Sequence, residues 1–272
     1  MSDALNYLYG FKAEGAVDIV ETVRRGIENL EDTFDDTTSY ADHMRGYTPE
    51  WFLRGLGADY YLMQIMVKHW PANMYVQTYA ELAARIRKKH QIDPENIERI
   101  WLEPSVEFRH YKSESGYDSL TQAQFSIPYG IAAAFYHPVA GSVWYRPETL
   151  HNPRVVALMN KVDAEHFCDE AGHRPLPGFP HLRQLIEGFH PEKFMTVTLK
   201  NGTRVTESLF THPGSPSYMF TREEFTDNFR SETAVVLTPD EAERVIAIVR
   251  DLENTPDAAV LGESLARAGE KE

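Results

Sequence analysis

Two residues stand where the sequence pattern changes, and both carry side chains suited to acid–base chemistry. The first, Lys68, ends the apolar run Tyr60–Lys68, which reads as a helix that stops just before Trp70-Pro71. A lysine in that place often lies along the surface with its ammonium in water. Alternatively, it holds a cation at a helix end to grip a carboxylate, or acts as a base of lowered pKa.

The second residue is Tyr129, in the stretch QAQFSIPYG. An S-x-x-Q capping box predicts a helix that begins near Ser119, and apolar residues continue to Tyr136. Pro128 interrupts this pattern, because proline lacks an N–H and crowds the preceding turn. We therefore expect a kink or a break that re-aims Tyr129. The tyrosine is either buried with a satisfied hydroxyl or presented to a cleft as a proton donor.

Two further clusters invite a chemical interpretation. His166–His173, HFCDEAGH, brings four kinds of metal-binding residue into eight positions, but the spacing fits no standard zinc pattern and we predict no metal. The pair Arg109-His110, followed by Lys112, either binds an anion or is a solvated loop. The sequence contains no dinucleotide fingerprint, phosphate-binding loop, nucleophile elbow or zinc-protease motif.

Composition narrows the class of protein. The net charge of −14 argues against nucleic acid and anionic membranes as partners. Cys168 is the single cysteine, so no internal disulfide can form, and a reducing cytoplasm is the expected location. We expect no signal peptide and no membrane span. With 272 residues and 42% apolar side chains, the chain can build one large or two modest domains.

Local patterns predict helices, then a mixed segment, then helices again. The first part carries apolar residues at helical spacing, and the middle part contains an alternating strand and an Asn-Gly hairpin. The last part opens with two capping boxes. The predicted helices and strands are Ala16–Leu30, Met74–His90, Ile97–Phe108, Ser119–Tyr136, Asn152–Val162 and the hairpin Phe194–Phe210, followed by helices that begin at Thr221 and Thr238.

This order predicts an α+β fold in three parts. Residues 1–71 and 217–272 form two helical arms that belong to a larger all-α domain. Residues 72–216 form an α+β domain inserted between them.

Five stretches together resemble the MmgE/PrpD family of 2-methylcitrate dehydratases and cis-aconitate decarboxylases. They are QAQFSIPYG, VKHWPANMYVQ with its K-x-x-P pattern, MTVTLKNGTRV, THPGSP and EEFTDNF, which occur in the family's order between Gly15 and Leu265. The resemblance implies a helical domain with an α+β lid and an active site between them. It also implies action on small di- or tricarboxylates by dehydration, decarboxylation or epimerisation, without metal or organic cofactor.

The resemblance implies that Lys68 and Tyr129 are catalytic. Lys68 would offset the charge that develops beside a carboxylate, and Tyr129 would donate to it. Because the chain is acidic overall, the site itself must be locally basic. The residues expected to contact the substrate are His69, Asn73, Gln77, Gln124, Ser126, Arg109 and His110.

The sequence departs from the family in two ways. Family chains are much longer, and the N-terminal helical half that supplies further acid–base residues has no counterpart here. Asn73 and Gln77 follow the K-x-x-P pattern here. Members of the family often carry histidine at the corresponding positions. Neither amide can act as a general base near neutral pH.

Three hypotheses of function follow. In the first, this chain is one subunit of a split lyase or isomerase, and a second polypeptide supplies the missing half and the base. In the second, it is a non-catalytic structural or regulatory subunit. In the third, it binds a carboxylate ligand alone or as a homo-oligomer. The substrate and the type of reaction stay open.

Overall fold

A computed structural model describes residues 4–28, 53–103, 112–164, 192–257 and 259–266. The chain divides into two compact units, residues 1–65 and 66–272. The described residues are mixed α/β, as the α+β prediction requires. The all-α domain, the lid and the boundaries at 71 and 216 stay predictions.

The described part of the first unit consists mainly of one long helix, α1 (Ala4–Arg24). This helix begins earlier than the predicted helix Ala16–Leu30. It also ends earlier, because Gly26 adopts a left-handed φ of 88° just after its last turn. The predicted residues 29 and 30 lie outside the described part. A short 3-10 turn follows at Tyr61–Gln64.

The second unit contains a four-stranded sheet among its described residues, in the order β2-β1-β3-β4. The strands are β1 (Ile97–Glu103), β2 (Val162–Ala164), β3 (Lys193–Leu199) and β4 (Arg204–Leu209). β1 runs parallel to β2 and antiparallel to β3, with Ile100 opposite Val162. The Asn-Gly hairpin is confirmed, and Thr196 pairs with Thr206 across it. The last predicted residues of the first strand, 104–108, are not described.

Helix α2 (Met74–His90) confirms the predicted amphipathic helix over its whole length. Its apolar face is buried and includes Val76, Tyr79, Leu82 and Ile86. Gly130 of the next long helix packs directly against it, since a Cβ at Gly130 would collide with the Val76 side chain. Only glycine lets the two helix axes approach so closely.

The predicted helix Ser119–Tyr136 is two helices, α3 (Leu120–Phe125) and α4 (Ile127–Tyr136). Of the two outcomes that we predicted at Pro128, a kink or a break, the structure has the break. Pro128 occupies the second position of α4, where its missing N–H costs nothing, and Ser126 ends one helix and caps the next. The Ser126 hydroxyl accepts the backbone N–H of Tyr129 at 3.1 Å. The boundary between α3 and α4 therefore lies at Ser126, which caps α4.

We expect Ser126→Ala to lower the free energy of unfolding by about 1–2 kcal/mol, because α4 loses its cap inside the core. Ser126 also lies 3.1 Å from the Tyr117 hydroxyl, which would lose that partner. Urea denaturation measures the difference, and Ser119→Ala, at the more exposed cap of α3, is the matched control. Equal losses in both variants would contradict a special role for the buried cap.

The remaining helices are α5 (Pro147–Leu150), α6 (Pro153–Met159), α7 (Arg222–Thr233), α8 (Pro239–Arg250) and α9 (Ala259–Ala266). The predicted caps are confirmed at Asn152, Thr221 and Thr238, the last two as complete capping boxes. α7 and α8 are joined to α9 by a small apolar cluster around Leu237 and Val245. Among the described residues, no helix is long and apolar enough to cross a membrane.

Candidate functional site

Lys68 lies in an extended segment and not at a helix end, which corrects our prediction. Residues 65–68 have no helical structure. The Val67 N–H donates to the Gly214 carbonyl oxygen at 2.8 Å, and Asn228 Nδ2 donates to the Lys68 carbonyl at 3.2 Å. These long-range bonds hold the segment in place. They join the K-x-x-P stretch to the THPGSP turn and to α7. The sequence shows the order of these stretches along the chain but not their contacts.

The Lys68 side chain is exposed, while the protein atoms packed around it lower its pKa from the ordinary lysine value. Desolvation has this effect because it disfavours the charged form. An ammonium group that is incompletely hydrated interacts more strongly with an anion than a fully solvated one does.

Gly214 is the residue that lets the turn approach the segment. Its φ is 91°, and a Cβ there would collide with the Val67 carbonyl oxygen and lie 2.7 Å from the Phe220 ring. An L-residue would therefore meet both backbone strain and a steric block.

We expect Gly214→Ala to destabilise the protein by at least about 2 kcal/mol and to displace the segment that carries Lys68. Gly202→Ala is the matched control, since Gly202 has a φ of 85° but open space around it. Both variants carry the backbone strain, so the difference between their urea midpoints measures the cost of the collision between a Cβ at position 214 and the Val67 carbonyl oxygen. Equal midpoints would show that the close approach contributes nothing.

Gln77 of α2 is fully buried, and its side chain hydrogen-bonds to the backbone of residues 69–72, which follow Lys68. Its side-chain oxygen accepts the N–H groups of His69 at 3.0 Å and Trp70 at 2.9 Å. Its side-chain nitrogen donates to the carbonyls of Trp70 at 2.7 Å and Ala72 at 3.1 Å. All four hydrogen-bonding positions of the amide serve the backbone. The predicted substrate contact of Gln77 is untested, and these bonds support a structural role.

His69, which follows Lys68 in the chain, interacts with a second imidazole, that of His212. His69 is half-buried, with its ring edge-on to Trp70 at 4.8 Å, and His212 is only 4% exposed. Within the described residues, His69 Nδ1 and His212 Nε2 are buried without a hydrogen-bond partner, and so is Asn228 Oδ1. Burial lowers the pKa of both imidazoles, and His212 lowers that of His69 further. Both rings are therefore neutral at neutral pH.

Acidic and basic groups next to the imidazoles are already paired. Glu81 accepts the Arg85 Nε–H at 2.7 Å and the Trp70 indole N–H at 3.1 Å. Arg85 also donates to the Tyr218 hydroxyl at 3.2 Å. The two partners hold Glu81, which is nearly buried, in one orientation.

Tyr129 lies in the core and is fully buried. Its hydroxyl donates to the Trp144 carbonyl, and its ring packs edge-on against Tyr117 at 5.7 Å. Burial raises its pKa well above the ordinary tyrosine value. Trp144 in turn stacks on Trp70 at 5.2 Å. The hydroxyl is satisfied by the backbone here, and its catalytic role stays a prediction.

The remaining predicted site residues occupy varied places. Asn73 caps α2 through the Tyr75 N–H at 3.2 Å, and its own N–H donates to the Gln124 carbonyl at 2.8 Å. Ser126 is the buried cap of α4. Arg109, His110 and the stretch His166–His173 lie outside the described residues. In the part that is described, no group of three or more His, Cys, Asp or Glu side chains can hold a metal.

The sequence reading missed His212, Asn228, Glu81 and Arg85. His212 stands in the THPGSP turn, where proline and glycine predict only a turn. Its imidazole interacts with His69 and Glu81, which are more than a hundred positions away in the chain. No local pattern therefore shows its burial. The tertiary bonds of the turn bring it to His69.

Comparison with known proteins defines the class. The MmgE/PrpD C-terminal domain matches residues 70–254, which is more than half of the chain. The chain belongs to the MmgE/PrpD family. It is 27% identical over 247 residues to the cis-aconitate decarboxylase of Mus musculus, covering 87% of this chain and 47% of that protein. It is 24% identical over 261 residues to the enzyme of the same name from Homo sapiens, covering 93% of this chain and 50% of that protein.

The chain thus spans about half the length of the curated relatives it matches. The family assignment confirms the resemblance in the sequence. The activity of the whole relatives does not transfer with it, because a shared fold does not fix chemistry.

Proposed function

We propose that this chain is a subunit of a lyase or isomerase that acts on a small di- or tricarboxylate. The observation that carries the proposal is the Lys68-His69 segment, where an exposed lysine whose pKa is lowered by burial precedes an imidazole that interacts with the buried His212. Family membership and the two relatives named cis-aconitate decarboxylase support the substrate class.

Lys68 supplies the charge stabilisation that this chemistry needs. When a proton or CO2 leaves the carbon beside a carboxylate, the electron pair left behind spreads into that carboxylate. A cation placed there before the reaction stabilises the developing charge without reorganisation. Tyr129 remains a proposed donor to the same charge, and its hydroxyl would first have to leave the Trp144 carbonyl.

The proposal includes a second polypeptide that completes the enzyme. Helix α1 exposes a row of apolar residues, with Val17 at 64%, Val20 at 52% and Val23 at 57% exposure. An apolar groove, lined by Phe225, Phe229, Val245 and Val249, lies between α7 and α8. Apolar surfaces of this kind favour a protein interface.

The test is a substrate screen on the protein purified with whatever subunits accompany it. We expect turnover of cis-aconitate, citrate or a related di- or tricarboxylate, followed by NMR of the products. Loss of water, release of CO2 and inversion of a centre are distinguished by the product formed. No turnover of any of these acids by the native assembly would contradict the proposal.

One observation favours a second function, a non-catalytic structural subunit. Gln77 and Tyr129 are both fully engaged with the backbone, as side chains kept for packing would be. In that case the native assembly turns over substrate as before when Lys68 is replaced.

A further inference from the structure

His212 combines burial with an open hydrogen-bonding position. It is 4% exposed, and its Nε2 has no partner in the described parts of the chain. A buried polar atom without a partner costs free energy, so such an atom calls for an explanation. His69 Nδ1, on the neighbouring imidazole, presents the same situation.

The chemical state of the His212 nitrogen follows from its other contact. Nδ1 lies 2.7 Å from the Pro213 carbonyl oxygen. A carbonyl oxygen only accepts hydrogen bonds, so Nδ1 carries the hydrogen. In the neutral ring, Nε2 is therefore a bare lone pair that can accept a hydrogen bond or a proton.

Among the described residues, the charged groups that act on the two imidazoles already have partners of their own. The other titratable groups that act on the imidazoles are Glu81 and Arg85 on α2 and Glu224 on α7. Glu81 is held by Arg85 and Trp70, and Glu224 accepts the N–H and hydroxyl of Thr221 in its capping box. The described residues around the site form no three-ligand metal cluster.

We propose that His212, with His69 beside it, binds one carboxylate group of the ligand together with one proton. The proton comes from solvent and forms an N–H bond at Nε2, and the resulting imidazolium donates that hydrogen to a carboxylate oxygen. The ligand class rests on the proposed function, but proton uptake on binding does not depend on turnover.

The sign of the pH dependence is fixed by this coupling. Burial lowers the pKa of His212 in the free protein, so the ring is neutral at neutral pH. A bound carboxylate raises its pKa, because an opposite charge favours the protonated form. Affinity therefore rises as the pH falls from the bound-state pKa to the free-state pKa, by at most about tenfold per pH unit for one proton.

The experiment measures binding of cis-aconitate and succinate by isothermal titration calorimetry on the native assembly. Titrations between about pH 6 and pH 8, in buffers of different ionisation enthalpy, count the protons taken up. The variant His212→Asn keeps a donor near the Pro213 carbonyl and lacks Nε2. His151→Asn is the matched control, because His151 is an exposed imidazole bonded to the Ser115 carbonyl at 2.9 Å.

We expect the unmodified protein and His151→Asn to take up close to one proton per ligand, and His212→Asn to take up none and to bind at least about tenfold more weakly near pH 6. The ligand's own titration is the same in all three proteins and cancels. Proton uptake by a protein that turns over no acid would support this inference and contradict only the proposed catalysis. Uptake unchanged in His212→Asn, pH-independent binding, or no binding of either acid would overturn the inference.

Discussion

The variant Lys68→Met loses at least about 100-fold in kcat on the carboxylate that the native assembly turns over, while its fold is unchanged. Removing one preorganised charge or donor from a site of developing negative charge costs about two to three orders of magnitude in rate. Methionine keeps most of the length and apolar contact of the lysine stem. The exposed side chain of Lys68 makes this replacement mild for folding.

The measurement is steady-state kinetics with product detection by NMR. Lys88→Met is the matched control, since Lys88 is an exposed lysine near the end of α2. We expect the control to keep full activity, with both variants unfolding at the same urea concentration as the unmodified protein. Equal activity of Lys68→Met and the control would remove Lys68 from the mechanism and leave the structural-subunit alternative.

The second large effect is on stability. Gln77→Leu fills much the same space but removes the Gln77 amide from two N–H groups and two carbonyls of the His69–Ala72 backbone. Of these four groups, only the Trp70 carbonyl keeps another partner among the described residues, the Ala72 N–H at 2.7 Å. Each unsatisfied buried group costs about 1–3 kcal/mol, and water reaches those near half-buried His69. We expect the free energy of unfolding to fall by about 3–5 kcal/mol, and the melting temperature by about 10 °C.

Urea denaturation followed by tryptophan fluorescence measures this loss, since Trp70 lies within the affected turn. Gln122→Leu is the control, because Gln122 is an exposed glutamine on α3. We expect the control to lose less than about 0.5 kcal/mol. A Gln77→Leu protein as stable as the control would mean that the four bonds are replaced by water at no cost.

Local patterns predicted the elements of this fold well where one face of an element is buried. Met74–His90 was predicted to the residue, because its apolar stripe and terminal signals agree. The two capping boxes and the hairpin were correct for the same reason. At Pro128 we predicted a kink or a break, and the structure has the break. The apolar pattern alone does not show it, because apolar residues continue across Ser126, which caps the second helix.

The site was less accessible to sequence reasoning. The catalytic role of Lys68 stays a prediction. Its predicted place at a helix end was wrong, because the backbone is held extended by Gly214 and Asn228. His212 was missed entirely. Its burial depends on contacts between segments far apart in the chain, and a single sequence carries no signal for such contacts.

The native mass of the assembly tests the central claim most directly. We would purify this chain from its own cells under native conditions and measure the mass and composition of the complex. The account predicts a second polypeptide in fixed ratio that supplies the rest of the relatives' length and covers the apolar face of α1. An assembly built of this chain alone that turns over no carboxylate would contradict the account and favour a stand-alone carboxylate-binding protein.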